Sequence, residues 1–100
     1  MTSSSPLYIV FTLSDGDILN CRLATYDRQI AEYECCLAMR TTPDRWARIV
    51  EKRESYILPG QTVWVAVNDP RSFSEIDVAV YDQASVVPDG TEWVEDLVVM

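Results

Sequence analysis

Residues 7–24, LYIVFTLSDGDILNCRLA, decide the fold class. Leu7, Ile9, Phe11 and Leu13 alternate with Tyr8, Val10 and Thr12, which is the two-residue period of a strand. The next apolar run alternates Leu19, Cys21 and Leu23 against Ile18, Asn20, Arg22 and Ala24. Between them stands Asp15-Gly16, a dipeptide whose residues both tolerate positive φ and which therefore favours a tight hairpin turn. An N-terminal β-hairpin is expected, preceded by a small, polar segment, residues 1–6, that should fray.

After the hairpin the period changes. Tyr26, Ile30, Tyr33 and Leu37 fall on one helical stripe, with Arg28 and Glu32 paired four apart on the outside and Asp27 placed to cap. The spacing predicts a helix from residue 27 to about 40 with that stripe buried. Thr42-Pro43-Asp44 then resembles a second helix start, with Thr42 as cap and Pro43 at the first helical position. A shorter helix over 43–53 is expected, burying Trp46, Ile49 and Val50; a long exposed strand from Trp46 to Tyr56 is the alternative.

The rest reads as β structure. Tyr56 to Leu58 and Thr62 to Val67 flank Pro59-Gly60, the pair a type II turn prefers, and suggest another hairpin, with Trp64 expected in the core. Ile76, Val78 and Val80 alternate with Asp77, Ala79 and Tyr81. Ser72 and Glu75 could close a capping box on a helical turn there, which the β-branched run opposes. Glu92 to Val99 alternates Trp93, Glu95, Leu97 and Val99 against Val94, Asp96 and Val98, although Thr91 could instead cap a short helix. The expected architecture is α+β: an N-terminal hairpin, one or two helices, then antiparallel strands, with helices packed on one sheet face.

At 100 residues the chain is expected to form one domain, residues 1–100, large enough for its own core. No run approaches the roughly 20 apolar residues of a membrane span, and Met1 to Pro6 carries no signal-peptide pattern. A soluble cytoplasmic protein is expected. Three cysteines, two of them adjacent, form no C-x-x-C motif and suggest reduced thiols rather than a disulfide frame or a zinc site.

Chemistry is constrained by what is missing. With no histidine, Ser-His-Asp and Cys-His triads cannot be assembled, and the three glycines all sit in turn dipeptides rather than a phosphate cradle. Asp15-Gly16-Asp17 opens like a calcium loop but lacks the later ligands. No catalytic residue, cofactor or metal is expected, and no enzymatic role.

Charge is the positive signal. Residues 1–53 hold seven acids and seven bases, whereas residues 54–100 hold nine acids and only Arg71, so the whole net charge of −8 lies in one half. Direct binding to nucleic acid or to a membrane surface is disfavoured, because phosphate contacts need clustered Lys and Arg. The expected partner is a basic protein. The candidate contact residues are Glu75, Asp77, Asp82, Asp89, Glu92, Trp93, Glu95 and Asp96, with Trp93 as an aromatic anchor inside a charged rim, or else an inward core residue. Arg40, Arg45, Arg48, Lys52 and Arg53 cluster around the expected second helix and could pair with the acidic half within the chain or across a homodimer.

The charge, size and missing catalytic groups together lead to the expectation of a non-enzymatic inhibitor. It would mask the basic surface of a nucleic-acid-binding complex or nuclease by presenting carboxylates in place of phosphates, in the manner of phage anti-CRISPR, anti-restriction and nuclease immunity proteins. The alternative is an assembly module that self-associates through a strand edge.

Overall fold

A computed structural model describes residues 6–14, 18–41, 46–53, 57–67 and 78–100. The hairpin forms as the sequence dictates: β1 (Leu7–Ser14) pairs antiparallel with β2 (Ile18–Thr25). The Asp15-Gly16-Asp17 turn lies outside the described residues. An α-helix, α1 (Arg28–Thr41), follows. Asp27 caps it, its Oδ1 accepting hydrogen bonds from the amides of Gln29 (2.9 Å) and Ile30 (3.4 Å), which satisfies donors the helix itself leaves open. The Arg28–Glu32 pair closes at 3.0 Å on the exposed side.

The second helix is not formed. The alternative, a strand starting at Trp46, is what forms: β3 (Trp46–Lys52) pairs antiparallel with β1 from Leu7↔Lys52 to Leu13↔Trp46. The proposed start signal, residues 42–45, lies outside the described residues. The physical reason for the outcome is long-range. β1 is an almost wholly buried strand with two edges to satisfy, and Trp46, Ile49 and Val50 suit a pleated surface as well as a helix. As a consequence Trp46, expected in the core, is 71% exposed.

The second sheet comprises β4 (Thr62–Val67), β5 (Val78–Tyr81) and β6 (Trp93–Val98), in the order β5-β4-β6 and antiparallel throughout. The first has the order β2-β1-β3. Among the described residues the architecture is thus mixed α+β: two three-stranded antiparallel sheets and one α-helix. The last element is a strand rather than a helix. Pro59-Gly60 makes the expected type II turn, with Gly60 at φ +90° and the Gln61 amide donating to the Leu58 carbonyl at 3.1 Å. The segment before it, Ile57-Leu58, is not a strand, and residue 56 lies outside the described residues, as do Ser72, Glu75, Ile76 and Asp77.

Both faces of β1 are covered. Leu7, Ile9 and Phe11 meet Val63, Val65, Val67 and Val78 of the second sheet. Tyr8 and Val10 meet Leu23 and Ala31, with Cys35 and Ile49 packed against them. Each fully buried Leu, Ile, Val or Phe of this run is worth about 1.5–3 kcal/mol over its exposed state. The helix, however, buries the opposite stripe from the one expected. Ala31 and Ala38 face the sheet, while Ile30 (39%), Tyr33 (69%) and Leu37 (38%) face outward. Small residues let the helix axis approach the sheet closely, and Ala31, Cys35 and Ala38 share the spacing of the larger stripe. Periodicity therefore defines two faces without saying which one is buried.

One irregularity interrupts the first sheet. The β1–β2 register shifts between Val10 and Phe11, which pair with Leu23 and Cys21, so that Arg22 is an extra residue on β2. The simple alternation expected for β2 breaks there. Leu19 and Ala24 join the core between the sheets, with Cys21 packed against it, whereas Leu23 turns toward the helix.

Candidate functional site

Strand parity sorts the second sheet into two faces. Val63, Val65 and Val67 of β4 point into the core, together with Val78 of β5. Val80, Trp93 and Leu97 pack against that core from β5 and β6. Thr62, Trp64 and Ala66 therefore point outward, as do Ala79 and Tyr81 of β5 and Val94, Asp96 and Val98 of β6. In register, Trp64 has Tyr81 directly opposite on one side and Asp96 on the other. Opposite residues in such a pair stand about 5 Å apart at Cβ, so the three form one row across the sheet. Val94 (41% exposed) and Val98 (56%) extend it into an apolar surface.

The turn after β5 closes one end of this face. A short 3-10 helix, Ala84–Val86, leads into Pro88-Asp89-Gly90-Thr91, where the Thr91 hydroxyl donates to the Pro88 carbonyl at 2.7 Å and Gly90 takes φ +87°. This turn borders a shallow recess of about 200 Å³ lined by Ala66, Ala79, Tyr81 and Asp89. A recess of this size takes one side chain of a partner more readily than a drug-sized ligand.

The eight candidate contact residues divide. Glu75 and Asp77 lie outside the described residues. Asp89, Glu92 and Asp96 are exposed and Asp82 is half-buried, all four on the second sheet or the turn bordering it. Trp93 and Glu95 point the other way. The Trp93 ring packs against Phe11 with centroids 6.1 Å apart and planes tilted by 59°, which makes it part of the core rather than an anchor. Glu95 accepts a hydrogen bond from the Cys21 amide and bridges the two sheets.

Trp64, expected in the core, faces outward because Val63 and Val65 on either side of it face inward, and neither it nor Tyr81, Val94 and Val98 is among the candidate contact residues. The signal for them was present in β4, where three valines form a uniform inner face and Thr62, Trp64 and Ala66, dissimilar in size and polarity, mark the outer one.

Arg48 and Lys52 share a face of β3, Arg53 reaches Glu51 at 3.9 Å, Arg40 is exposed at the end of α1, and Arg45 lies outside the described residues. All three cysteines are free. Burial, reinforced by the Glu95 carboxylate, pushes the Cys21 thiol up to about 12. Burial beside Cys36 raises that of Cys35, while Cys36 is exposed. Among the described residues no three Cys, Asp or Glu side chains come together to hold a metal ion. No helix among them is long and apolar enough to cross a membrane.

Compared with known family models, with curated proteins and with solved structures, the chain gives no match.

Proposed function

We propose that the chain is a non-enzymatic protein-binding inhibitor that docks a basic, nucleic-acid-binding surface of its partner against the outer face of the second sheet. The observation that carries this reading is the row Tyr81–Trp64–Asp96, an aromatic pair beside a carboxylate on a sheet face turned away from the core. Aromatic residues in an apolar field supply desolvated contact area, and a charged rim supplies orientation. Asp82, Asp89, Glu92 and Asp96 provide that rim, in the half of the chain that carries all of its net −8 charge. Like charges held together on one folded surface repel and cost stability, a cost that a cationic partner offsets. In this reading the carboxylates steer association and occupy the partner's phosphate-binding positions, while Trp64 and Tyr81 slow dissociation.

The test starts from capture at low ionic strength. The captured protein should be basic, its affinity should fall steeply with salt, and it should lose binding to a labelled nucleic-acid duplex when one equivalent of this protein is added. Asp82→Lys with Asp96→Lys should abolish capture. A partner whose affinity is flat with salt, or which still binds the duplex in the complex, would overturn the proposal.

A further inference from the structure

The described strands present four sheet edges, and three of them carry a feature that discourages pairing with another chain. The β2 edge is bulged at Arg22, and two of its groups are already used: the Cys21 amide by the Glu95 carboxylate at 2.8 Å and the Ala24 carbonyl by the Met100 amide at 2.9 Å. β6 lies against β2, held to it through the Glu95 carboxylate. β5 is only four residues long. Short, bulged or covered edges are common means of preventing strand addition. β3 is different. It is seven residues long, pairs with β1 without a register shift, and has no strand on its outer side among the described residues.

We propose that this edge pairs with the same edge of a second copy, antiparallel about a two-fold axis through Ile49. The occupant follows from register and charge. A two-fold axis perpendicular to a sheet sets a residue opposite itself, so only a few registers exist. An axis on Arg48 places the two Arg48 guanidinium groups opposite one another, and an axis on Val50 sets Arg48 opposite Lys52. An axis on Ile49, the midpoint of the strand, pairs all seven residues and sets no two cations directly opposite one another, Arg48 lying only diagonal to the partner's cations. It sets Trp46 opposite the partner's Lys52, Ala47 opposite the partner's Glu51, and Arg48 opposite the partner's Val50. The indole of Trp46, 71% exposed in one copy, is covered in this register by a lysine stem and its ammonium group.

Charge location favours this edge too. Residues 1–53 are formally neutral, so two copies meeting at β3 bring together the half of the chain that carries none of the −8. The product is a continuous six-stranded sheet. Because the axis runs perpendicular to it, both second sheets lie on one side, and their outer faces look the same way. The inference stands independently of what those outer faces bind.

The test is sedimentation or light scattering across about 10–500 µM, which brackets the Kd of a weak interface. The wild type should approach twice the monomer mass. Trp46→Lys, at an exposed position that leaves the fold intact by circular dichroism, should weaken association by about tenfold or more, because it sets an added ammonium group against the partner's Lys52. Combining it with Lys52→Glu should restore the dimer. A wild type that stays monomeric throughout overturns the proposal. So does a dimer that Trp46→Lys leaves unchanged, or one that the second substitution fails to rescue.

Discussion

The Glu95 carboxylate accepts a hydrogen bond from the backbone amide of Cys21 at 2.8 Å, joining the inner face of β6 to the bulged edge of β2. The extra residue Arg22 breaks the β1–β2 ladder at this point, and Glu95 satisfies an amide at the break from the other sheet. A carboxylate between two sheets is costly unless it is hydrogen-bonded, and here the partner is fixed by the backbone. Glu95→Ala is therefore expected to destabilise the fold by about 1.5–3 kcal/mol, the range for a hydrogen bond to a charged group. Glu95→Gln, which keeps an acceptor oxygen, should lose less than half as much. Urea denaturation of the three proteins gives the comparison; equal midpoints for wild type and Glu95→Ala would show the bond to be incidental.

The same contact governs the thiol. Burial and the neighbouring carboxylate raise Cys21 from 9.0 to about 12. An acid whose folded pKa lies above its unfolded value stabilises the fold fully below the unfolded pKa and loses that contribution as pH rises through the folded one. The stability difference between wild type and Cys21→Ala should hold constant below pH 9.0 and shrink from there toward pH 12. A difference that grows across that window would contradict the burial of the neutral thiol.

Thiol labelling at neutral pH should follow exposure and ionisation. Cys36, on the outside of α1, should react first. Cys35, half-buried with its thiol pushed up, should be slower, and Cys21 should resist until the protein unfolds. Mass spectrometry of peptides after timed exposure to a maleimide reads the order directly, and early modification of Cys21 would show the two sheets to separate easily.

Thr12 offers a gain. Its hydroxyl is buried on β1 with no hydrogen-bond partner among the described residues, which leaves a desolvation cost uncompensated there. Thr12→Val replaces the hydroxyl by a methyl group of nearly the same shape in a β-strand that favours valine. It should stabilise the protein by about 1 kcal/mol, raising the thermal midpoint by several degrees. A lowered midpoint would mean that the hydroxyl has a partner after all.

Local signals made some of this structure legible and left the rest to long-range effects. The hairpin was legible because strand alternation and Asp-Gly agree, and the Pro59-Gly60 turn because only a residue tolerant of positive φ fits where Gly60 stands. β3 was not legible. Its apolar residues at 46, 49 and 50 satisfy a helical spacing, and what decides the matter is the free edge of β1, far away in sequence. The inward position of Glu95 was legible in part, since alternation binds it to Trp93 and Leu97. Assigning Trp93 to the core commits Glu95 to the same side, and that consequence separates it from Asp96 in the acidic set. The outward turn of Ile30, Tyr33 and Leu37 had no sequence signal at all, because both stripes of α1 have equal periodicity.

Two tryptophans, each in a strand of the second sheet, should behave oppositely. Trp93 packs against Phe11 within the core, so Trp93→Ala should cost about 3 kcal/mol, near the low end for a large aromatic because the ring is only partly buried. Trp64 lies on the outer face between Tyr81 and Asp96, where truncation removes cross-strand contacts worth about 1 kcal/mol together. Binding should show the reverse. Trp64→Ala should weaken capture of a basic partner by about 2 kcal/mol or more, the loss that defines an anchoring residue, while Trp93→Ala under conditions where it remains folded should leave affinity unchanged. Measuring chemical stability and affinity on the same two variants separates the roles. If Trp64→Ala unfolds the protein, or if Trp93→Ala alone abolishes binding, then the partner meets a different face and the Tyr81–Trp64–Asp96 row has only a structural role.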